Sequence, residues 1–142
     1  MGEAVGESAA EPAAVRVLIV DDQEPYRLAM AAVVEATPGF ELVGAAASGE
    51  ESLAAAAALR PDLVLMDVHL PGIDGIEATR RLVSGPGGAP VVVLLSTYDE
   101  DQVDAAGCGA AAYIPKGAFG PDRLAGAWDG AGRGHGGGRA DG

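Results

Sequence analysis

Four short apolar runs in this chain each end at a polar residue. They occupy positions 17–20, 63–66, 91–95 and 112–115, and they are followed by Asp21-Asp22, Asp67, Ser96 and Lys116. Runs of this length, rich in Val, Ile and Leu and without alternation, predict strands buried on both faces. The carboxyl ends of an open parallel sheet share one edge, and that edge holds the active site. We therefore expect three carboxylates, a hydroxyl and an ammonium around one cleft.

Helical patterns separate the predicted strands. The strands are expected at about 15–20, 41–46, up to Asp67, 91–95 and 111–114, and the helices at about 24–36, 49–59, 75–83 and 119–129. Ser48 followed by Glu51 is a capping-box pattern that marks the start of the second helix. In the first helix, Leu28 and Ala32 are expected on its amphipathic surface. Five alternations of strand and helix predict a doubly wound α/β fold with right-handed crossovers.

Composition and charge limit the remaining function classes. The 142 residues suit one domain, which we place at 15–129, between a disordered leader at 1–14 and a disordered glycine-rich tail at 130–142. The formal charge of −12 disfavours direct binding of nucleic acid or anionic lipid. The chain shows no signal peptide and no apolar stretch of about 18 residues, so we expect a cytoplasmic protein without a membrane span.

The three carboxylates suggest a divalent metal. Mg²⁺ prefers hard oxygen ligands in near-octahedral geometry and keeps several waters. Asp21, Asp22 and Asp67 would supply such ligands from two neighbouring strand ends, and the backbone carbonyl of His69 is within reach of the same point. An alternative for the Asp21-Asp22 pair is capping of the next helix. An alternative for His69 is that its side chain has no role in the site. The sequence offers no second cluster of ligands that would make this histidine a zinc ligand.

Asp67 is also a candidate nucleophile. A carboxylate that attacks a phosphoryl group forms an acyl phosphate, and phosphoryl transfer depends mainly on positioning and charge neutralisation. Ser96 would donate a hydrogen bond to one phosphoryl oxygen, and Lys116, the only lysine of the chain, would pair with another. The alternatives are a helix N-cap for Ser96 and a solvated loop for Lys116. Tyr113 is either a core residue or a rotamer switch with a polar tip.

These residues together resemble the receiver domain of two-component response regulators, most closely the NarL/FixJ-type subfamily. The resemblance covers roughly 15–125 and is carried by VLIVDD at 17–22, PDLVLMDVHLPGIDGIEATRRL at 61–82, VVVLLSTYDE at 91–100 and AAYIPK at 111–116. It implies a flavodoxin-like five-stranded parallel sheet in the order 2-1-3-4-5, with helices on both faces. In a departure from that subfamily, we expect this sequence to be without the DNA-binding effector domain.

The resemblance assigns roles to the candidate residues. Asp67 would be the phosphoacceptor, with a phosphohistidine of a sensor histidine kinase as the donor and Mg²⁺ as the cofactor. The metal would be bound directly by Asp22, through water by Asp21, and through the backbone carbonyl of His69. Ser96 and Lys116 would bind the acyl phosphate, while Ser96 and Tyr113 would form the conformational switch. A receiver homodimer is a further arrangement that the resemblance allows.

One departure from the family affects the output of the domain. The interval from Ser96 to Lys116 is about two residues shorter than usual, and Gly107 and Gly109 weaken the fourth helix within it. Three alternatives to a phosphorylated signalling module therefore stay open. They are a degenerate receiver that docks a partner without phosphorylation, the regulatory half of a DNA-binding transcription factor, and a true phosphatase. The phosphatase is disfavoured because such enzymes usually carry Asp-x-Asp at the nucleophile.

Overall fold

A single parallel sheet organises the molecule. The computed structural model describes the backbone of residues 13–85, 88–98 and 101–141. Its strands are β1 (Val15–Val20), β2 (Phe40–Ala46), β3 (Leu63–Asp67), β4 (Val91–Ser96) and β5 (Ala112–Pro115). They pair in parallel in the order β2-β1-β3-β4-β5, which confirms the predicted fold and strand order. Most of the predicted leader lies outside the described residues.

Side-chain caps mark the start of two of the helices, α2 and α3. They are α1 (Glu24–Ala36), α2 (Gly49–Leu59), α3 (Gly75–Ser84), α4 (Asp101–Ala105) and α5 (Pro121–Asp141), and a 3₁₀ turn spans Lys116–Ala118. The hydroxyl of Ser48 accepts the N–H of Glu51 at 3.0 Å, which confirms the predicted cap of α2. The carboxylate of Asp74 accepts the N–H of Glu77 at 2.8 Å and caps α3 in the same way.

Helices cover both faces of the sheet, because alternate residues of each central strand point to opposite sides. On one face, buried residues such as Leu18 and Val64 pack with α2, α3 and α4. On the other face, residues such as Val17 and Leu65 pack with α1 and α5. Every residue of β3 and β4 is buried, as the absence of alternation in their sequences predicts. Burial of each Val or Leu side chain contributes about 1.5–3 kcal/mol, so the core fixes the strand ends in place.

The buried face of α1 is formed by two residues that the sequence pattern did not single out. Met30 and Val34 are its buried residues, whereas Leu28 is 64% exposed. Leu28, which was placed in the amphipathic pattern of this helix, therefore lies off the buried face. Met30 and Val34 are four residues apart and form one row along the helix. Because α1 is rich in alanine, several rows along it are weakly apolar. Contact with the sheet decides that the row of Met30 and Val34 is the buried one.

The last helix is longer than predicted. We expected it to end near 129 and a disordered tail to follow, but the backbone of α5 stays helical to Asp141. No proline after Pro121 interrupts its hydrogen bonding. Glycine raises the entropic cost of a helix by up to about 1 kcal/mol per residue without forbidding helical geometry. Neither α5 nor any other helix in the described part of the chain has the length and apolarity that would let it cross a membrane.

Candidate functional site

Three carboxylates meet at the carboxyl edge of the sheet. Asp21 directly follows β1 and is fully buried, Asp67 is the last residue of β3 and is 4% exposed, and Asp22 faces solvent. One oxygen from each of them lies within 4.8 Å of the others. The sheet edge therefore brings together the three acidic residues that the strand ends predicted.

Backbone hydrogen bonds hold the two flanking loops in position. The N–H of Asp21 donates to the carbonyl of Ala46 at 3.1 Å and extends the ladder beyond β1. Oδ1 of Asp21 accepts the N–H of Gln23 at 2.9 Å, an Asx-type turn that leads into α1. The alternative that the Asp pair caps the next helix is wrong, because α1 has Gln23 at its N-cap and no side-chain capping hydrogen bond. Oδ1 of Asp21 bonds to Gln23 in the turn, and its other oxygen faces the cleft.

A glycine allows α3 to approach the phosphoacceptor candidate closely. The N–H of Gly75, the first residue of α3, donates to the carbonyl of Val68 at 2.8 Å. A Cβ at position 75 would overlap the backbone carbonyl oxygen of Asp67. The absence of a side chain at Gly75 therefore lets the helix pack directly against the end of β3.

Lys116 lies between two of the carboxylates. Its Nζ is 2.7 Å from Oδ2 of Asp21 and 3.1 Å from Oδ1 of Asp67, and its side chain is only 12% exposed. The ammonium also lies 3.7 Å from the ring centroid of Tyr26, in cation–π geometry. The alternative of a solvated loop is wrong for Lys116, because the lysine begins the 3₁₀ turn after β5 with its charge directed into the cleft.

The clustered charges shift the titration of two groups. Burial, together with the nearby charge of Asp21, raises the pKa of Asp67 from 3.8 to about 6, although Lys116 acts in the opposite direction. Burial alone would lower the pKa of Lys116, but its hydrogen bonds and charge interactions with Asp21 and Asp67 raise it. The lysine therefore stays charged at neutral pH, while the excess negative charge destabilises the ionised form of Asp67.

The acidic cluster fits a divalent cation. Oδ2 of Asp21 is buried and, apart from the nearby ammonium of Lys116, has no hydrogen-bond partner among the described residues. The single charge of Lys116 compensates this oxygen but does not balance three clustered carboxylates, so negative charge is left in excess. Hard carboxylate oxygens at this spacing are the ligands that Mg²⁺ takes from proteins. The donor set thus agrees with the predicted cofactor, and the backbone carbonyl of His69 stays a predicted ligand.

Ser96 ends β4 beside the cluster and is bonded to a residue that the sequence analysis missed. Its hydroxyl donates a hydrogen bond to Oδ2 of Asp101 and accepts the N–H of Tyr98 at 3.1 Å. Nε2 of His69 lies 2.8 Å from the same Asp101 oxygen, so the His69 side chain has a hydrogen-bond partner at the site. The alternative that Ser96 caps the next helix concerns residues 99–100, which lie outside the described residues.

Tyr113 contacts the same loop from β5. Its hydroxyl donates to the backbone carbonyl of Tyr98 at 2.5 Å, while its half-buried ring packs against the core. The two predicted switch residues, Ser96 and Tyr113, are therefore both hydrogen-bonded to the backbone of Tyr98. The structure shows this one arrangement of Tyr113, and its movement stays a prediction.

Two residues of the site had no distinct sequence signal. Asp101 lies in an acidic stretch after Ser96, where any of several carboxylates would look alike. Tyr26 lies in the first turn of α1, where an aromatic residue has many structural explanations. Only the tertiary structure brings Asp101 to Ser96 and Tyr26 to Lys116.

Comparison with known proteins identifies the family. The family model of the response regulator receiver domain matches residues 17–128. The chain belongs to this family, and its fold and strand-end residues agree with the membership. It is a receiver domain of the kind found in two-component response regulators.

Individual relatives support the same assignment. The chain is 40% identical over 103 residues to the transcriptional regulatory protein LiaR of Bacillus subtilis, covering 72% of this chain and 49% of LiaR. It is 45% identical over 105 residues to the response regulator GacA of Pseudomonas viridiflava, covering 73% and 49%. The chain thus spans about half the length of these relatives. A LuxR-family two-component response regulator from Aurantimonas sp. SI85-9A1 superimposes with a TM-score of 0.71 at 30% identity, covering 80% of this chain and 81% of that one.

Proposed function

We propose that this chain accepts a phosphoryl group on Asp67 from a phosphohistidine of a sensor histidine kinase and signals by a change of conformation. The observation that carries the proposal is the surroundings of Asp67. Its carboxylate ends a buried strand, lies 3.1 Å from the ammonium of Lys116 and shares a cleft with two further carboxylates. The similarity to the response regulator GacA and to the transcriptional regulatory protein LiaR supports the proposal.

The chemistry follows from the charges of the cleft. A carboxylate oxygen of Asp67 attacks phosphorus, the bond from phosphorus to the donor nitrogen breaks, and that nitrogen keeps the electron pair. Lys116 stabilises negative charge on the transferred group, and Ser96 donates a hydrogen bond to it. Asp21, Asp22 and Asp67 would hold Mg²⁺, which supplies charge neutralisation of the phosphoryl oxygens when bound. The chain would thus act on its own carboxylate and would not turn over a phosphomonoester.

The signal would leave through the loop after β4. Ser96 and Tyr113 both bind the backbone of Tyr98, so a phosphoryl group that draws on the Ser96 hydroxyl would also disturb the partner of Tyr113. We infer that the affected surface is formed by α4, β5 and α5. A sensor kinase, and a second receiver in a homodimer, are the proposed partners. Regulation of transcription through a longer protein, and a location in the cytoplasm, belong to the same proposal.

Mass spectrometry of the intact chain tests this function. The wild-type chain is incubated with acetyl phosphate and Mg²⁺, with and without chelator, beside Asp67→Asn and a control, Asp129→Asn, that removes an exposed carboxylate of α5. We expect a Mg²⁺-dependent gain of one phosphoryl group in the wild type and the control, and none in Asp67→Asn. Incorporation by Asp67→Asn would show that the acceptor is misassigned.

One observation favours a second function. Among the described residues helix α4 spans Asp101–Ala105, and Gly107 and Gly109 follow it with positive φ angles. A fourth helix that ends at these glycines favours a receiver that docks its partner without phosphorylation. Under this alternative the folded wild-type chain gains no mass with acetyl phosphate, and its affinity for a partner is the same with and without the phosphodonor.

A further inference from the structure

The hydroxyl that a phosphoryl group on Asp67 would need is already occupied. A serine hydroxyl has one hydrogen to donate, and Ser96 gives it to Oδ2 of Asp101. The next acceptor within reach, the carbonyl of Tyr98, lies at 3.4 Å and is a weaker partner. Ser96 directly follows Leu95, the residue paired with Asp67 across β3 and β4. A phosphoryl group on Asp67 would therefore compete with Asp101 for the single hydroxyl hydrogen of Ser96.

Asp101 is held firmly in this position. The residue is 6% exposed, and its Oδ2 also lies 2.8 Å from Nε2 of His69. The ring of His69 packs edge-on against Tyr98, with their centroids 5.5 Å apart. A buried carboxylate needs such partners, because burial without them is costly. Removing the Ser96 hydrogen from Asp101 therefore has an energetic cost that the phosphoryl group must offset.

We propose that Asp101 is a positioning residue that keeps the Ser96 hydroxyl away from the phosphoryl site, so that phosphorylation of Asp67 and release of Asp101 are coupled. This inference rests on the proposed function. A phosphoryl group brings a charge of about −1.5 to −2, which competes for the Ser96 hydrogen and also repels the Asp101 carboxylate.

Release of Asp101 would affect both α4 and Tyr113, because both are hydrogen-bonded to the same loop. Asp101 is the first residue of α4, and its backbone N–H donates to the carbonyl of Tyr98 at 3.2 Å. That carbonyl also accepts the hydroxyl of Tyr113. Loss of the bond between Ser96 and Asp101 therefore frees the start of α4 and the loop that holds Tyr113. The short α4 of this chain would be controlled at its first residue.

Beryllofluoride, a stable mimic of a phosphoryl group on a carboxylate, tests the inference by calorimetric titration in excess Mg²⁺. The chains compared are the wild type, Asp101→Ala, Ser96→Ala and the double variant. We expect Asp101→Ala to bind beryllofluoride about tenfold more tightly than the wild type, because Ser96 is free to donate to the ligand. The gain should vanish in the Ser96→Ala background, where no hydroxyl remains to be released. Asp101→Asn keeps an acceptor oxygen without the charge and should gain less than Asp101→Ala.

A purely structural role of Asp101 gives a different result. If the substitution only loosens α4, its effect on beryllofluoride affinity will be the same with and without Ser96, and the inference is overturned. Equal affinities of the wild type and Asp101→Ala would overturn it as well. Mg²⁺ affinity, which depends on the acidic cluster, should be the same in both chains.

The two proposals fail in distinguishable ways. Normal phosphorylation of the wild type without a gain in Asp101→Ala refutes the role of Asp101 alone. A wild type that binds no beryllofluoride beside an Asp101→Ala variant that does would show that Asp101 blocks the site outright, which supports the inference. Binding by neither chain, both shown to be folded, overturns the proposed function and this inference together.

Discussion

Replacing the phosphoacceptor candidate by its neutral isostere should stabilise the fold. Burial and the charge of Asp21 raise the pKa of Asp67 from 3.8 to about 6, so its ionised form is disfavoured in the folded chain. At about 1.4 kcal/mol per pKa unit, this difference corresponds to about 3 kcal/mol. Asp22 in the same cluster is exposed to solvent, whose screening lowers the expected effect to about 1–2 kcal/mol. Asp67→Asn removes the charge and should recover this free energy at neutral pH.

The sign of the pH dependence follows from proton binding. Between 3.8 and about 6, the folded wild type holds a proton on Asp67 that the unfolded chain has largely lost. Its free energy of unfolding therefore falls as the pH rises through this interval. Asp67→Asn lacks this group. The advantage of the variant over the wild type should thus be absent near pH 4 and fully present above about pH 6.

Urea denaturation in metal-free buffer measures this effect. The single tryptophan, Trp128, packs edge-on against Phe40 with ring centroids 6.5 Å apart and reports unfolding through its fluorescence. Asp129→Asn, an exposed carboxylate of the same type, should show no such pH-dependent gain. Added Mg²⁺ should stabilise the wild type by up to about 2.7 kcal/mol at a hundredfold excess over its Kd, and Asp67→Asn by less. A variant less stable than the wild type above pH 6, or a gain independent of pH, would refute the reasoning.

Three further substitutions test how the site is built. Gly75→Ala should lower the free energy of unfolding by about 1–3 kcal/mol and slow phosphorylation, because its Cβ overlaps the carbonyl of Asp67. The control Gly126→Ala has open space around it and should be neutral or stabilising in the same urea and mass assays. Lys116→Ala should still incorporate phosphate by mass spectrometry yet lose the change in amide hydrogen exchange on phosphorylation, and an unchanged response would rule out that role. Ser48→Ala should cost about 1 kcal/mol in urea denaturation through loss of the α2 cap; a cost below about 0.3 kcal/mol would contradict the capping role.

The strands and most helix bounds could be predicted because their signals are local. Unbroken apolar runs mark β3 and β4, and helix α2 spans Gly49–Leu59 as the pattern predicted, with the expected cap. The acidic cluster and Lys116 could also be predicted, since the sheet topology alone brings strand ends to one edge. Their meeting needs no knowledge of side-chain packing.

Other features could not be predicted because they depend on choices made by the tertiary structure. The buried row of α1 is decided by contact with the sheet, and the alanine-rich sequence did not distinguish Leu28 from Met30. The bond between Ser96 and Asp101 joins a strand end to a helix start across a loop, and composition does not show which carboxylate reaches back. The continuation of α5 to Asp141 could not be predicted, because a glycine-rich sequence disfavours a helix.

The acidic cleft is best understood as a destabilised region that its ligands relieve. Three carboxylates meet within 4.8 Å, and one ammonium contacts two of them, so negative charge is left in excess. A bound cation lowers this electrostatic cost, which couples metal binding to the stability of the fold. Asp67→Asn removes one of the clustered charges and so lowers the electrostatic destabilisation, but it also removes the nucleophile. A variant that gains stability and loses phosphorylation together would therefore show that the charge excess is retained for the chemistry of Asp67.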